Sequence, residues 1–395
     1  MVAVVFWLSI SFVVYTYIGY PLLIALLASL KPKSGQYEKF VPSVTLLITA
    51  YNEERIIAKR IENALALDYP NENLQILVAA DGSSDQTPDI VKQYQESGVE
   101  LAFIPERNGK MAAINRAMPS ARGEIVVFSD ANNMYSADAI RNLVSPFSDL
   151  SVGVATGTKQ IVQDDRDLSN VEGLYWKYES WIKSNESILG SCSSAVGEIF
   201  AVRRDLFRPP PKNIINDDFY QVLDLLRRGY RVVYVPEARS FEYVSATEND
   251  EIIRRTRINA GRYQAISLSL GLLPWHRLDL VWQIISHKYF RLFLPFGYLG
   301  ALITNILLVI WHQENNAQSL LMVSYPINWI FLGPQIFFYG MALIGSLAEF
   351  EGKMGKLLYI PTFLVNSNIS ALQGFLGFVT KRQSHIWARV RRGNE

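Results

Sequence analysis

The chain has 395 residues, with 38 Lys and Arg against 37 Asp and Glu. That length accommodates one large domain plus membrane helices, and the near-zero balance leaves no global field to recruit nucleic acid. A single cysteine, Cys192, excludes an internal disulfide, and four histidines without a His-x-x-x-His pair argue against a zinc hydrolase.

Residues 1–30 carry no charge, and Lys31, Lys33 and Lys39 follow at once. The run is long enough to span a bilayer and lacks the basic start and short apolar core of a cleaved signal peptide. The lysines behind it predict that the next domain faces the cytoplasm. Between residues 40 and 262, strand-like and helix-like patterns alternate. Residues 44–49 read as a buried strand, 52–66 as a helix, and 74–79 as a strand. A helix at 87–95, a strand at 101–104, a helix at 110–118 and a strand ending at Asp130 follow. This alternation predicts an α/β domain with a mostly parallel, Rossmann-like sheet.

Acidic residues stand where such strands end. Asp81 closes the second strand within Ala-Ala-Asp-Gly-Ser-Ser-Asp, and Asp130 closes the strand 125–128 within Phe-Ser-Asp-Ala-Asn. Ligands of open α/β sheets bind at the carboxyl ends of the strands, so the two carboxylates point to a nucleotide and its metal ion. Ala50, Tyr51, Asn52 and Glu53 end the first strand and offer backbone N–H groups and an acid for a base and ribose. Asp130 and Asn132 form a variant Asp-x-Asp whose hard oxygens suit Mg²⁺ or Mn²⁺ completed by substrate phosphates. Asp217 and Asp218 open a helix that ends before Gly229. They serve either as caps or as a general base. Arg254, Arg255 and Arg257 fit phosphate oxygens or anionic lipid headgroups.

The C-terminal third is apolar again. Residues 274–291 place Leu278, Val281, Trp282, Ile285 and Tyr289 on one helical face and polar residues on the rest, the pattern of an amphipathic helix on the membrane surface. Residues 292–380 contain two or three membrane segments. The last, 357–379, carries Asn366, Ser367, Asn368 and Gln373, so it is a span, a re-entrant or interfacial segment, or the wall of a channel. A basic tail, 381–395, ends the chain.

In order and spacing these motifs resemble glycosyltransferase family 2, in the branch of membrane synthases that make cellulose, hyaluronan and poly-N-acetylglucosamine. The resemblance covers about 44–261, with Gly19-Tyr20-Pro21 in the flanking membrane pattern. It implies a GT-A fold, a nucleotide contact at Asp81, a metal at Asp130 and Asn132, and Asp218 as base. Lys110 and Asn115 correspond to the family's Gly-Lys-x-x-Ala-x-Asn segment, with Gly109 and Ala113. Arg254 to Ile258 is similar to the Gln-x-x-Arg-Trp motif, with Arg257 at the arginine; Arg254 and Ile258 replace its Gln and Trp. The resemblance implies an inverting multi-pass enzyme of the cell membrane that moves a sugar, most often from a UDP-sugar, to a growing β-linked polysaccharide. Its partners would be the nucleotide-sugar donor, a glycan or lipid acceptor, membrane lipids and accessory export proteins. Transfer of one sugar to polyprenyl phosphate or diacylglycerol is the competing enzyme reading. A silent nucleotide- or glycan-binding membrane subunit is the competing reading of another class.

Overall fold

The computed structural model describes residues 1–32, 37–162, 167–211, 213–243, 247–310, 323, 325–347 and 352–381. Lys33 and all of the basic tail beyond Lys381 lie outside the described residues. Helix α1, Val2–Ser29, contains a π turn at Tyr15–Gly19. Strand β1 (Val44–Ala50), helix α2 (Ile57–Leu65), strand β2 (Leu74–Asp81), helix α3 (Thr87–Lys92) and strand β3 (Val99–Ile104) follow. Helix α4 (Lys110–Ala117) and strand β4 (Ile125–Asp130) complete this first half. Then come β5 (Met134–Tyr135), α5 (Ala139–Val144), β6 (Val152–Ile161), α6 (Asp167–Leu189), β7 (Phe200–Arg203), α7 (Asp217–Arg227) and β8 (Arg231–Glu242). Helix α8 (Glu248–Ser267) leads to three long helices: α9 (Leu278–Ile310), α10 (Ile327–Leu347) and α11 (Gly352–Val379).

The strands form one mixed sheet in the order β3-β2-β1-β4-β7-β6-β8-β5. Strands β3, β2, β1 and β4 run parallel. Beyond β4, strand β7 reverses direction, pairing antiparallel with both β4 and β6, while β6 and β8 are parallel. The chain steps outward from β1 to β3 and then returns to the other side of β1 as β4. The carboxyl ends of β1 and β4 therefore flank the switch point, with Thr49 beside Asp130 in register. Strand β1 is buried on both faces. Leu46 and Ile48 join the core beneath α2, α3 and α5, and Leu47 joins the core beneath α4 and α7. This two-sided burial explains why its sequence is a continuous apolar run without alternation.

Some local expectations shift. The first helix begins at Ile57, not residue 52. Asn52 adopts φ of 53° and ends the strand in a tight turn instead. The expected surface helix, 274–291, starts at Leu278 and passes through a π turn at Ile285–Tyr289 straight into the apolar part of α9. Its polar face turns inward: Gln283, Ser286, His287 and Lys288 are buried. His287 Nδ1 lies 2.8 Å from Glu186 Oε1, and Lys288 Nζ lies 3.1 Å from Glu179 Oε2, both on α6. The face is polar because it meets carboxylates of the α/β domain.

Among the described residues, three helices are long and apolar enough to cross a membrane: Val2–Ser29, Leu278–Ile310 and Ile327–Leu347. Two of the polar positions of α11, Ser367 and Gln373, face α8, while Asn368 meets Tyr17 of α1. Ser367 Oγ accepts from Arg255 Nη1 at 3.3 Å, and Gln373 Oε1 accepts from Thr256 Oγ1 at 3.0 Å.

Candidate active site

The turns after β1 and β2 are stitched together. Asn52 N donates to Ser83 Oγ at 3.1 Å, Ser84 N donates to Asn52 Oδ1 at 2.9 Å, and Glu53 N donates to Thr87 Oγ1 at 2.8 Å. These bonds consume backbone groups that the sequence left open for a nucleotide. What remains facing outward at Tyr51 is its ring, with the Arg107 guanidinium 3.7 Å from the ring centroid. Arg107 was not among the residues singled out by sequence. No local signal marks it; the turn at Gly82 makes room for it, since its φ is +64° and a Cβ there would lie 2.7 Å from the Arg107 backbone.

Asp81 is buried, and its Oδ2 accepts from Asn108 N at 2.9 Å and Gly109 N at 2.6 Å. It thereby fixes the turn that presents the start of α4. Lys110, the first residue of α4, reaches across the switch point. Its Nζ lies 2.8 Å from Asp130 Oδ1 and 3.9 Å from Asp217 Oδ2. Burial pulls the Lys110 pKa down, but the carboxylates of Asp130 and Asp217 outweigh it and hold the ammonium charged. One turn along α4, Asn115 Oδ1 is buried with no hydrogen-bond partner among the described residues.

Asp130 also accepts from Thr49 Oγ1 at 3.1 Å. Asn132 is oriented from the far side of the sheet: its Nδ2 donates to Glu242 Oε1 at 3.0 Å. Glu242 is in turn paired with Lys159, which lies 2.9 Å from Glu198. With its amide nitrogen anchored, Asn132 keeps the carbonyl oxygen as the group it can offer a cation. No cluster of three His, Cys, Asp or Glu side chains suited to a metal occurs among the described residues. One carboxylate and one amide oxygen are hard donors that fit Mg²⁺ or Mn²⁺ when phosphate oxygens supply the rest.

Asp217 and Asp218 form the first turn of α7. Asp218 Oδ1 accepts from Phe219 N at 2.7 Å. Burial and the neighbouring Asp217 charge push the Asp218 carboxyl up to about 6, against the pull of Lys110. Gly197 backs directly onto it, since a Cβ there would lie 2.9 Å from Asp218 Oδ2. Arg257 completes the group. Burial lowers its pKa, while the charges of Asp217 and Asp130 oppose that shift. Arg254 and Arg255 point elsewhere, both pairing with Glu251, at 2.8 and 2.6 Å. The structure thus gathers Lys110, Asp130, Asp217, Asp218 and Arg257 at one crevice, with Asp81 beneath its edge. Such a crevice can hold an anion beside a carboxylate tuned to accept a proton near neutrality.

Residues 45–209 match the family model described as Glycosyl transferase family 2. The chain is 29% identical over 176 residues to a beta-monoglucosyldiacylglycerol synthase of Trichormus variabilis, covering 42% of this chain and 36% of that protein. It is 26% identical over 230 residues to a poly-beta-1,6-N-acetyl-D-glucosamine synthase of Staphylococcus aureus, covering 56% and 55%. The chain therefore spans about a third to a half of the length of these relatives. Among solved structures, a mannosyltransferase from Pyrobaculum calidifontis, in complex with GDP-Man and Mn²⁺, shares the fold with a TM-score of 0.66. Its identity is 22%, covering 94% of this chain and 99% of that one. The α/β domain thus has a GT-A architecture, and the shared fold extends over most of the flanking helices.

Proposed function

Residues 45–209 match the glycosyl transferase family 2 model, and on that match we propose that the protein is an inverting glycosyltransferase. It moves a sugar from a nucleoside diphosphate to an acceptor hydroxyl at a membrane. The observation that carries this reading is the junction at Lys110, which draws Asp130 and Asp217 together beside Asp218 at the switch point of the sheet. Tyr51, Arg107 and Asn115 line the nucleoside end, with Asp81 holding the turn around it. Lys110 and Arg257 supply positive charge for the diphosphate. Asp130 and Asn132 would hold Mg²⁺ or Mn²⁺, which when bound neutralises charge on the departing diphosphate. Asp218 takes the proton of the attacking hydroxyl, and direct displacement turns an α-linked donor into a β-linked product.

The relatives' printed names span both acceptor classes, a glycan polymer and diacylglycerol. One observation favours a lipid acceptor: Ser367 and Gln373 of α11 spend their side chains on Arg255 and Thr256 of α8. The uncharged α1 followed by Lys31 and Lys39 supports a cytoplasmic catalytic domain in a multi-pass protein. The test is incubation of the detergent-solubilised full chain with labelled UDP- and GDP-sugars, divalent metal and a membrane lipid extract. Label entering the lipid phase supports the reading. Long polymer would replace the lipid by a glycan, and absence of nucleoside diphosphate release with every donor would sink the enzyme itself.

A further inference from the structure

The contact between Asn132 and Glu242 restricts which side chain can stand at position 132. The turn after β4 leads into β5, and β5 pairs antiparallel with the end of β8, with Met134 opposite Phe241. That pairing brings Asn132 beside Glu242, the last residue of β8. Asn132 Nδ2 donates to Glu242 Oε1 at 3.0 Å, and the other carboxylate oxygen, Oε2, meets the ammonium of Lys159 from β6. Lys159 Nζ also lies 2.9 Å from Glu198 Oε1. The contacts then return to the same turn, because the backbone carbonyl of Glu198 accepts from the Tyr135 hydroxyl at 2.7 Å, three residues along from Asn132. Lys159 and Glu242 are each 3% exposed, so water screens their charges little.

A side-chain amide carries its donor and its acceptor on one carbon. Pinning Nδ2 to Glu242 therefore fixes the direction of Asn132 Oδ1. An ionised carboxylate only accepts. With the Lys159 ammonium on its other oxygen, Glu242 receives the Asn132 proton and has none to return. An aspartate at 132 would bring a second acceptor-only group to the place where Nδ2 now stands, 3.0 Å from Glu242 Oε1. Two like charges so close, with little water between them, repel strongly. Taken alone, an added carboxylate strengthens a divalent-cation site. At this turn the added carboxylate would be opposed by one already in place.

We propose that Asn132 and Glu242 are a matched pair, in which Glu242, braced by Lys159, is a positioning residue that aims the Asn132 carbonyl at the cation and excludes aspartate from position 132. The negative charge that a second aspartate would carry stands instead at 242, behind the amide. Exchanging the two functions, Asn132→Asp together with Glu242→Gln, keeps one carboxylate and one amide in the pair and keeps an N–H donor between them. The carboxylate then belongs to 132 and the donor to 242. Asn132→Asp alone therefore weakens the cation site, and Glu242→Gln added to it repairs the site. The inference rests on the reading of Asp130 and Asn132 as the protein's ligands to Mg²⁺ or Mn²⁺. It adds a residue that touches neither cation nor substrate and a rule for what its partner can be.

The test is Mn²⁺ titration of the detergent-solubilised full chain, read by electron paramagnetic resonance of the free ion, with UDP and with GDP present. Thermal unfolding without metal is measured in parallel. Asn132→Asp should weaken Mn²⁺ binding by about tenfold or more and lower the metal-free melting temperature, because a charge-assisted hydrogen bond is replaced by repulsion. Glu242→Gln alone keeps a neutral hydrogen bond and should weaken Mn²⁺ binding by about fivefold. The double variant should recover the affinity to within about threefold of the parent, together with the melting temperature. Nucleotide affinity in excess chelator should stay parental throughout, which a general disruption of the domain would not allow. Asn132→Asp binding Mn²⁺ as tightly as the parent overturns the proposal, as does unchanged affinity in Glu242→Gln or a double variant no better than Asn132→Asp. Should Asn132→Asp fail to fold, a folded double variant supports the exchange and an unfolded one overturns it. The parent's own titration tests the underlying reading. No Mn²⁺ uptake with either nucleotide sinks the metal site and the proposal together, whereas parental uptake with uncoupled variants sinks the Glu242 assignment and leaves the metal site standing.

Discussion

Replacing Asp218 by Asn removes the proposed base while keeping the side chain's shape beside Gly197. A positioned general base contributes roughly 10²- to 10⁴-fold, so turnover should fall by that factor while donor affinity changes little. The environment of Asp218 also sets a pH signature. With the carboxyl near 6, only about a tenth is ionised at pH 5, so the parent should lose about tenfold in turnover between pH 7 and 5. An unperturbed carboxylate near 3.8 would keep most of its activity at pH 5. Stability should move the opposite way. Because the folded pKa exceeds the unfolded one, the folded state binds more protons between about pH 4 and 6, and its stability contribution is lost as pH rises through that window. Above pH 6 the buried charge is a burden that Asn lacks, so Asp218→Asn should raise the melting temperature at pH 8 and lose that advantage at pH 4. The assays are nucleoside diphosphate release from pH 5 to 8, donor titration calorimetry, and thermal unfolding in detergent. An Asn variant with more than a tenth of parental turnover, or a parental acid limb near pH 4, would refute the assignment. Should Asp217→Asn be the inactive variant instead, the base is the adjacent residue.

Four further outcomes follow from the same geometry. Chelation should abolish transfer and Mg²⁺ or Mn²⁺ should restore it, because Asp130 and Asn132 offer a cation two hard oxygens and leave the remaining positions to substrate phosphates; full turnover in excess chelator would exclude the metal. Asp81→Ala strands the N–H groups of Asn108 and Gly109, so it should cost about 2–4 kcal/mol of stability and weaken nucleotide binding in calorimetry. Gly197→Ala places a methyl 2.9 Å from Asp218 Oδ2 and should cut kcat at least tenfold with a near-parental donor KM, a split that steady-state kinetics reads directly. For topology, Ser97→Cys in a Cys192→Ser background should resist impermeant thiol reagents in intact cells; ready labelling would place the catalytic domain outside.

The elements legible in the sequence were those whose signal is local. The run through Leu46, Leu47 and Ile48 marks a strand covered on both faces, since a side chain on either side must be apolar to be buried there. Asp81 and Asp130 were readable because each ends such a strand, and a strand's end is where an open sheet exposes its ligand crevice. The uncharged stretches in α1, α9 and α10 were readable because length and composition alone mark a helix able to cross a bilayer. The helix start at Ile57 was misplaced because Asn52 and Glu53 spend their backbone N–H groups on Ser83 and Thr87, thirty-odd residues away. Pairings across the sheet were equally invisible. Glu242 orients Asn132 over a separation of 110 residues, and Lys110 joins Asp130 to Asp217 from a different helix. Periodicity identified a polar face on 274–291 but could not say what it meets. Water, lipid headgroups and the carboxylates of α6 all tolerate Gln283, Ser286 and Lys288. Only the docking of α9 against Glu179 and Glu186 decides that this face turns inward, because an ion pair is a property of two surfaces and the pattern describes one.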